Sequence, residues 1–168
     1  MRCMLWVGST VVTCEASLNT INFYPVGTLG QSWDSTERAE WLASRVKQRS
    51  YADDVLSKID ILRSRFDVLE YGELNYSGER FPLIAIKSRN WNDALPTMLV
   101  TGGVHGYETS GVHGALDLVD QRAEAYAGRV NLLIAPCISP WAYECVQRGN
   151  DNALDPNRSF YANSPAEE

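Results

Sequence analysis

The sequence predicts an α/β protein built on a mixed, mostly parallel sheet flanked by helices. Two observations carry this prediction: 97–101 and 129–135 are short apolar runs typical of buried strands, and 107–127 between them repeats apolar residues at helical spacing. A glycine at position 128 is suited to end that helix. A strand, a helix and a second strand within about 40 residues indicate a βαβ unit, which joins parallel strands.

Two helices are predicted before this unit. The first runs over 34–49, where Asp34 and Glu37 have the spacing of a capping box. The second runs over 51–65, where apolar residues recur on one face. Both are expected to cover the sheet.

A strand hairpin is predicted between the helices and the βαβ unit. Its strands are residues 66–71 and 81–87, with turns at Gly72 and at Ser77-Gly78. The domain is expected to span 24–168. Residues 1–23 are then an N-terminal extension, for which disorder is compatible with the sequence.

Composition narrows the function. The chain has 168 residues and a formal net charge of −6, which argues against a nucleic-acid partner. It has no run of about 18 apolar residues, so no membrane-spanning helix is predicted. A cytoplasmic location is expected, with secretion as the alternative because the first residues have the outline of a weak signal peptide. The four cysteines lack C-x-x-C spacing and are interpreted as buried thiols.

His105 and Glu108 form a candidate metal-binding pair just after the strand 97–101. Ligands of open α/β sheets bind at the carboxyl ends of strands, and imidazole with carboxylate is a normal ligand pair for zinc. The His-x-x-Glu pattern alone also fits two exposed side chains. His113, the other histidine, lies roughly 140° around the helix from Glu108, which favours a packing or surface role over metal binding.

The C-terminal loop contains a second candidate group, Arg148 with Asn150, followed by Asp155, Asn157 and Arg158. Guanidinium groups beside an amide can bind a carboxylate through paired donors. The alternative is a solvated loop with ordinary surface arginines.

Taken together, three strings resemble the zinc metallocarboxypeptidase family, which includes carboxypeptidase A and is related to the succinylglutamate desuccinylase and aspartoacylase group. GGVHGYETSG resembles its zinc-binding His-x-x-Glu motif, ISPWAYECVQRGN the stretch leading to its Arg-x-Asn, and ALDPNRSF its Asp-x-Asn-Arg-x-Phe. The resemblance covers about residues 97–160. It implies a carboxypeptidase-like fold, of which this chain is expected to be a truncated, N-terminal part.

The resemblance also implies roles for residues. His105 and Glu108 are expected to be zinc ligands, Arg148 to polarise the scissile carbonyl and stabilise the oxyanion, and Asn157 and Arg158 to bind the terminal carboxylate of the substrate. The expected activity is hydrolysis of C-terminal peptide bonds by metal-activated water.

The sequence departs from the family pattern in ways that leave alternatives open. Pro156 and Ser139 replace a usual Leu and a usual loop Asn, and no histidine follows His113 to serve as the third zinc ligand. The general-base glutamate expected farther downstream is also absent, so the chain as written is expected to have reduced or no activity. One alternative is an N-acyl amino-acid deacylase, whose substrate also has a free carboxylate. The other is a non-catalytic domain that binds carboxylates.

Overall fold

The computed structural model describes residues 4–7, 10–13 and 25–166. The elements in chain order are β1 Met4–Val7, β2 Thr10–Thr13, α1 Ser35–Ala43, a π-helical turn Ala52–Leu56 that leads directly into α2 Ser57–Leu62, β3 Asp67–Tyr76, β4 Glu79–Lys87, β5 Thr97–Thr101, α3 Thr109–Asp117 continued by a π-helical turn Leu118–Arg122 and a 3-10 turn Ala123–Tyr126, β6 Asn131–Ala135, α4 Pro140–Cys145, and a 3-10 turn Pro156–Arg158.

Strands β3 to β6 form one four-stranded sheet in the order β3-β4-β6-β5. Strands β5 and β6 are parallel, whereas β3 pairs antiparallel with β4 and β4 antiparallel with β6. The predicted mixed α/β sheet is confirmed. Within the described residues, parallel pairing is confined to the βαβ unit. Parallel pairs are therefore the minority where a majority was expected, because the hairpin joins the sheet antiparallel through β4.

The strands and helix of the βαβ unit lie where they were predicted, and β6 is buried as expected. The prediction that 97–101 is a buried strand is wrong, because β5 lies at one edge of the described sheet and its residues are exposed or half-buried. Residues 97–101 of β5 pair in register with 131–135 of β6, and the helix between them ends before Gly128, whose φ is +72°. Such a φ favours glycine, which explains the position of the helix end. Val112 and Val119 of this helix are fully buried against the sheet in one hydrophobic core.

Helix α1 begins as predicted, with Asp34 accepting from the Thr36 amide at 2.6 Å and Glu37 accepting from the Asp34 amide at 2.9 Å. The capping box is therefore confirmed. The helix ends at Ala43 and does not continue to residue 49. The amides of Gln48 and Arg49 donate to the Glu144 carbonyl of α4 instead, so a tertiary contact replaces the last helical turn.

The β3-β4 hairpin has one turn, at Ser77-Gly78, where both residues have positive φ. The predicted turn at Gly72 is wrong, since β3 continues through it with a register shift between Glu70 and Gly72. A glycine within a strand often marks such a bulge.

The N-terminal segment 1–23 is described only in part. Strands β1 and β2 pair antiparallel, with Met4 opposite Thr13, and the other residues of the predicted extension lie outside the described ranges. The division of the chain at residue 24 stays a prediction.

Two further predictions concern single features. Cys137 and Cys145 are buried and unpaired, as predicted, whereas the other two cysteines lie outside the described ranges. In the part of the chain that the structure describes, no helix is long and apolar enough to span a bilayer.

Candidate metal site

The loops that leave β5 and β6 run side by side beyond the sheet. The amides of Ile138 and Ser139 donate to the carbonyls of Gly102 and Gly103 at 2.9 and 3.0 Å, and the Ser139 hydroxyl donates to the Val104 carbonyl at 2.8 Å. The Ser139 side chain thus holds the backbone immediately before residue 105. The result places His105 at the carboxyl end of the parallel strand pair, where ligands bind in open α/β sheets.

The turn that follows His105 is packed tightly against α4. A Cβ atom added to Gly106 would lie 1.9 Å from the carbonyl carbon of Ala142, so only glycine fits there. The guanidinium of Arg49 donates to the Gly106 carbonyl at 3.1 Å and lies over the Tyr143 ring. Backbone packing and this hydrogen bond together fix the turn that separates His105 from Glu108.

The imidazole of His105 is 6% exposed and has a carboxylate at each nitrogen. Its Nδ1 lies 3.1 Å from Oε1 of Glu108, and its Nε2 lies 3.0 Å from Oδ1 of Asp155. Half of the Glu108 side chain at Nδ1 is exposed, against a quarter of the Asp155 side chain at Nε2. The Nε2 side is covered by the C-terminal loop.

Asp155 connects this histidine to the predicted carboxylate-binding loop. Its Oδ2 accepts from Nε of Arg148 at 3.0 Å, and its Oδ1 also accepts from the Asn157 amide at 3.0 Å. Burial raises the pKa of the Asp155 carboxyl, but the hydrogen bonds from His105, Asn157 and Arg148 outweigh that effect and hold the pKa below its ordinary value. Asp155 is therefore ionised at neutral pH.

Tyr107 closes a ring of contacts around the site. Its hydroxyl accepts from Nη1 of Arg148 at 2.9 Å, and its aromatic ring stacks on His105 with the ring centroids 5.8 Å apart and the planes 12° from parallel. The hydrogen bond to Tyr107, followed by those to Asp155, raises the pKa of the Arg148 guanidinium. Arg148 thus keeps its charge and is held at two positions.

Asn150 supports the loop that carries Arg148 and Asp155. It is fully buried, and its Oδ1 accepts from the backbone amides of Asn152 and Leu154 at 3.1 and 3.0 Å. The backbone amide of Asn150 donates to the Leu154 carbonyl at 2.9 Å. These bonds close the loop on itself, so Asn150 contributes to its shape.

The structure brings three of the predicted site residues together: His105, Glu108 and Arg148, the last through Asp155. Asn157 takes part through its backbone amide, while its side chain is exposed. Arg158 is exposed, and its guanidinium has no hydrogen-bond partner within the described ranges. The roles of these residues stay predictions.

His113 lies apart from this cluster. Its Nδ1 is 3.4 Å from Nζ of Lys58, and its ring meets the Tyr143 ring edge-on at 6.4 Å. The packing role that its helical position favours agrees with these contacts.

Sequence reasoning placed Asp155 in the second candidate group without a role at the metal site, and it did not single out Tyr107. Asp155 had a local signal, because an Asp directly before a Pro suits the cap of a helical turn, and here it caps the turn Pro156–Arg158. Tyr107 had no signal beyond its place between the two predicted ligands. Both act through contacts between segments about 40 to 50 residues apart in the chain.

His105 and Glu108 are suited to hold a metal ion from one side. Two donors on a tetrahedral zinc ion are about 3.3 Å apart, close to the 3.1 Å between Nδ1 and Oε1. Asp155 is at the other ring nitrogen, so it orients the imidazole and does not reach the same position. Within the described ranges, no three His, Cys, Asp or Glu side chains are arranged to hold one ion.

Comparison with known proteins gives matches only at the level of structure. No protein-family model and no curated protein matches the sequence. A crystal structure assigned as a metallopeptidase from Shewanella amazonensis aligns at a TM-score of 0.55 and 28% identity, over 63% of this chain and 39% of that one. A second structure assigned as a metallopeptidase, from Shewanella baltica, aligns at a TM-score of 0.56 and 24% identity, over 65% of this chain and 40% of that one.

A structure assigned as a carboxypeptidase A from Shewanella denitrificans aligns at a TM-score of 0.51 and 15% identity, over 64% of this chain and 30% of that one. This chain therefore spans less than half the length of the structures it resembles. At 24% and 15% identity, the Shewanella baltica and carboxypeptidase A matches bear on the fold alone.

Proposed function

We propose, from the premise that this chain has a carboxypeptidase-like fold, that it supplies part of the active site of a zinc-dependent metallocarboxypeptidase. The proposed reaction is hydrolysis of the C-terminal peptide bond of a peptide. The chain spans 39% of the length of the Shewanella amazonensis structure. The proposal therefore concerns the part of an active site that this chain supplies.

The observation that carries the proposal is the pair of donors at His105 and Glu108. Their 3.1 Å separation suits two ligands of one zinc ion, and the Asp155 carboxylate at Nε2 completes a carboxylate, histidine and metal arrangement. With Asp155 accepting at Nε2, the proton of a neutral imidazole resides there, which leaves the Nδ1 lone pair for the metal.

When bound, zinc supplies Lewis-acid polarisation of a carbonyl and lowers the pKa of a bound water. The other steps fall to the chain itself. Arg148, whose charge is secured by Tyr107 and Asp155, stabilises negative charge on the carbonyl oxygen. Asn157 and Arg158 bind the terminal carboxylate, a role that suits the exposed and uncommitted guanidinium of Arg158 within the described ranges.

Catalytic zinc sites normally have three protein ligands and one water. His105 and Glu108 supply two, so a complete site needs one more ligand than the described residues bring together. We therefore propose metal binding by this chain that is weaker than in a complete site.

The proposal favours a peptidase over the deacylase, since the 28% identical structure is assigned as a metallopeptidase. Both activities require a free carboxylate on the substrate. They differ in the group attached to the scissile carbonyl. The two activities can therefore be distinguished by comparing hydrolysis of the two kinds of substrate.

Zinc binding by the purified chain tests the proposal. Equilibrium dialysis followed by elemental analysis should give about one zinc per chain for the wild type, and the affinity should fall at least about tenfold in His105→Ala. His113→Ala is the matched control, because it removes the other histidine, which contacts Lys58 and Tyr143. Its zinc affinity should equal that of the wild type.

The proposal fails if His105→Ala binds zinc as the wild type does while remaining folded by circular dichroism. Equal losses in the two histidine variants would also contradict it, since they would indicate binding without a defined site. Hydrolysis of an N-blocked dipeptide against an N-acyl amino acid then separates peptidase from deacylase.

A further inference from the structure

Tyr107 and Arg148 each have an uncommitted hydrogen-bond donor beside His105. The Tyr107 hydroxyl accepts from Nη1 of Arg148, which leaves its own proton available, and Arg148 uses Nε for Asp155. Within the described ranges, no acceptor is bonded to the hydroxyl proton or to Nη2 of Arg148. A tyrosine hydroxyl donates one proton and a guanidinium five, so this site can offer at least two donors to a ligand.

These donors are accessible although the histidine beside them is buried. Tyr107 is 40% exposed and the Arg148 side chain 47%, against 6% for His105. The ring of Tyr107 lies flat on the imidazole, and its hydroxyl is held by Nη1 of Arg148, whose Nε in turn bonds to Asp155. Both donors therefore lie exposed beside the buried His105.

We propose that Tyr107 is a further substrate-binding residue, whose hydroxyl acts together with the Arg148 guanidinium to hold one anionic oxygen of the substrate. The inference rests on the proposed function for the identity of that oxygen, which is the carbonyl oxygen as it becomes negative. The geometry of the two donors is independent of that assignment.

The contact between the two residues makes the tyrosine a stronger donor. A hydroxyl that accepts from a cation is polarised toward giving up its own proton, because hydrogen bonds in a chain reinforce one another. Stacking on His105 and the bond to Arg148 restrain the side chain before a ligand arrives. Donors fixed in advance stabilise developing charge most effectively.

The local charge makes this binding depend on a metal. The cluster contains two carboxylates, Glu108 and Asp155, whose negative charge opposes the binding of an anion beside Arg148. A divalent cation held by His105 and Glu108 would add positive charge at this place. The donor pair should therefore bind an anion more tightly with zinc present than without it.

Calorimetric titration with phenylphosphonate, a tetrahedral anion that does not hydrolyse, tests the proposal in the presence and absence of zinc. The wild type should bind it more tightly with zinc, and Tyr107→Phe should raise the Kd about tenfold or more by removing one charged hydrogen bond. Tyr126→Phe is the matched control, since Tyr126 lies in the 3-10 turn after α3 and should leave the Kd unchanged.

Arg148→Gln provides a second arm. If the two donors bind one oxygen together, the losses in Tyr107→Phe and Arg148→Gln should not add in the double variant. An unchanged Kd in Tyr107→Phe, or no binding to the wild type with or without zinc, would overturn the role given to Tyr107.

The zinc measurement on His105→Ala is a separate readout. If the Kd for phenylphosphonate is unchanged in Tyr107→Phe while zinc binds at His105, only the role given to the Tyr107 and Arg148 donors is refuted. If the Kd rises in Tyr107→Phe as expected but zinc does not bind at His105, only the proposed function is refuted.

Discussion

Asp155 links the two halves of the candidate site through its two carboxylate oxygens. Oδ1 accepts from His105 and from the Asn157 amide, and Oδ2 accepts from Arg148. One side chain therefore sets the direction of the imidazole and that of the guanidinium. Groups that orient metal ligands in this way affect metal affinity although they do not touch the ion.

Asp155→Asn should lower zinc affinity by about 10-fold to 100-fold, because an amide is a weaker acceptor than a carboxylate and one of its two positions becomes a donor. Competition with a chromogenic chelator measures this change. The fold should persist, since asparagine also caps a helical turn.

Asp151→Asn is the control, on the same loop. Asp151 accepts from the Ser77 amide at 3.1 Å, away from the metal side of the site. Similar affinity losses in both variants would show that loop stability, and not the contact to His105, is responsible.

Helix α4 acts on the site through its backbone. Gly106 lies against Ala142 and Tyr143 so closely that a Cβ atom would be 1.9 Å from the nearest carbonyl carbon. The helix thus positions the turn between His105 and Glu108 by contact with main-chain atoms, which cannot move aside as a flexible side chain can.

Gly106→Ala should lower the free energy of unfolding by about 3 kcal/mol, at the upper end of the usual cost of overpacking. Urea denaturation followed by fluorescence measures it. Gly114→Ala in α3 is the matched control, because nothing lies within 4 Å of its added Cβ.

That control variant should be more stable than the wild type by about 0.5–1 kcal/mol, the advantage of alanine over glycine within a helix. If Gly106→Ala were as stable as the wild type, the close packing of the turn on α4 would be wrong.

At the scale of the whole described sheet, β6 joins its two parts, since it pairs with β4 of the hairpin on one side and with β5 of the βαβ unit on the other. Ile134 is 1% exposed, pairs with Ile86 of β4 and with Val100 of β5, and belongs to the single core that the helices cover. Strand β5 is one of the two edges of the described sheet, and its Leu99 is 62% exposed.

Ile134→Val should therefore destabilise the protein by about 0.5–1.5 kcal/mol, the usual cost of one buried methyl group. Leu99→Val at the edge should change the free energy of unfolding by no more than about 0.5 kcal/mol. Equal costs at the two positions in urea denaturation would contradict the central place of β6.

Local sequence was sufficient for most elements of this fold. The capping box at Asp34 and Glu37, the apolar strands β5 and β6, and the helix that ends before Gly128 depend on near neighbours, and each lies where it was predicted. The end of α1 and the bulge at Gly72 were not predicted. They depend on Glu144 and on the β4 register, both distant in the chain.

The sequence by itself determined the mixed α/β class, the βαβ unit, and the placement of His105 and Glu108 after a strand, because periodicity and spacing are local properties. Only the tertiary structure decided that Asp155 and Tyr107 join them. The loop that carries Arg148 and Asp155 folds back onto residue 105 through packing and hydrogen bonds, and a single sequence contains no periodic pattern that encodes such a contact.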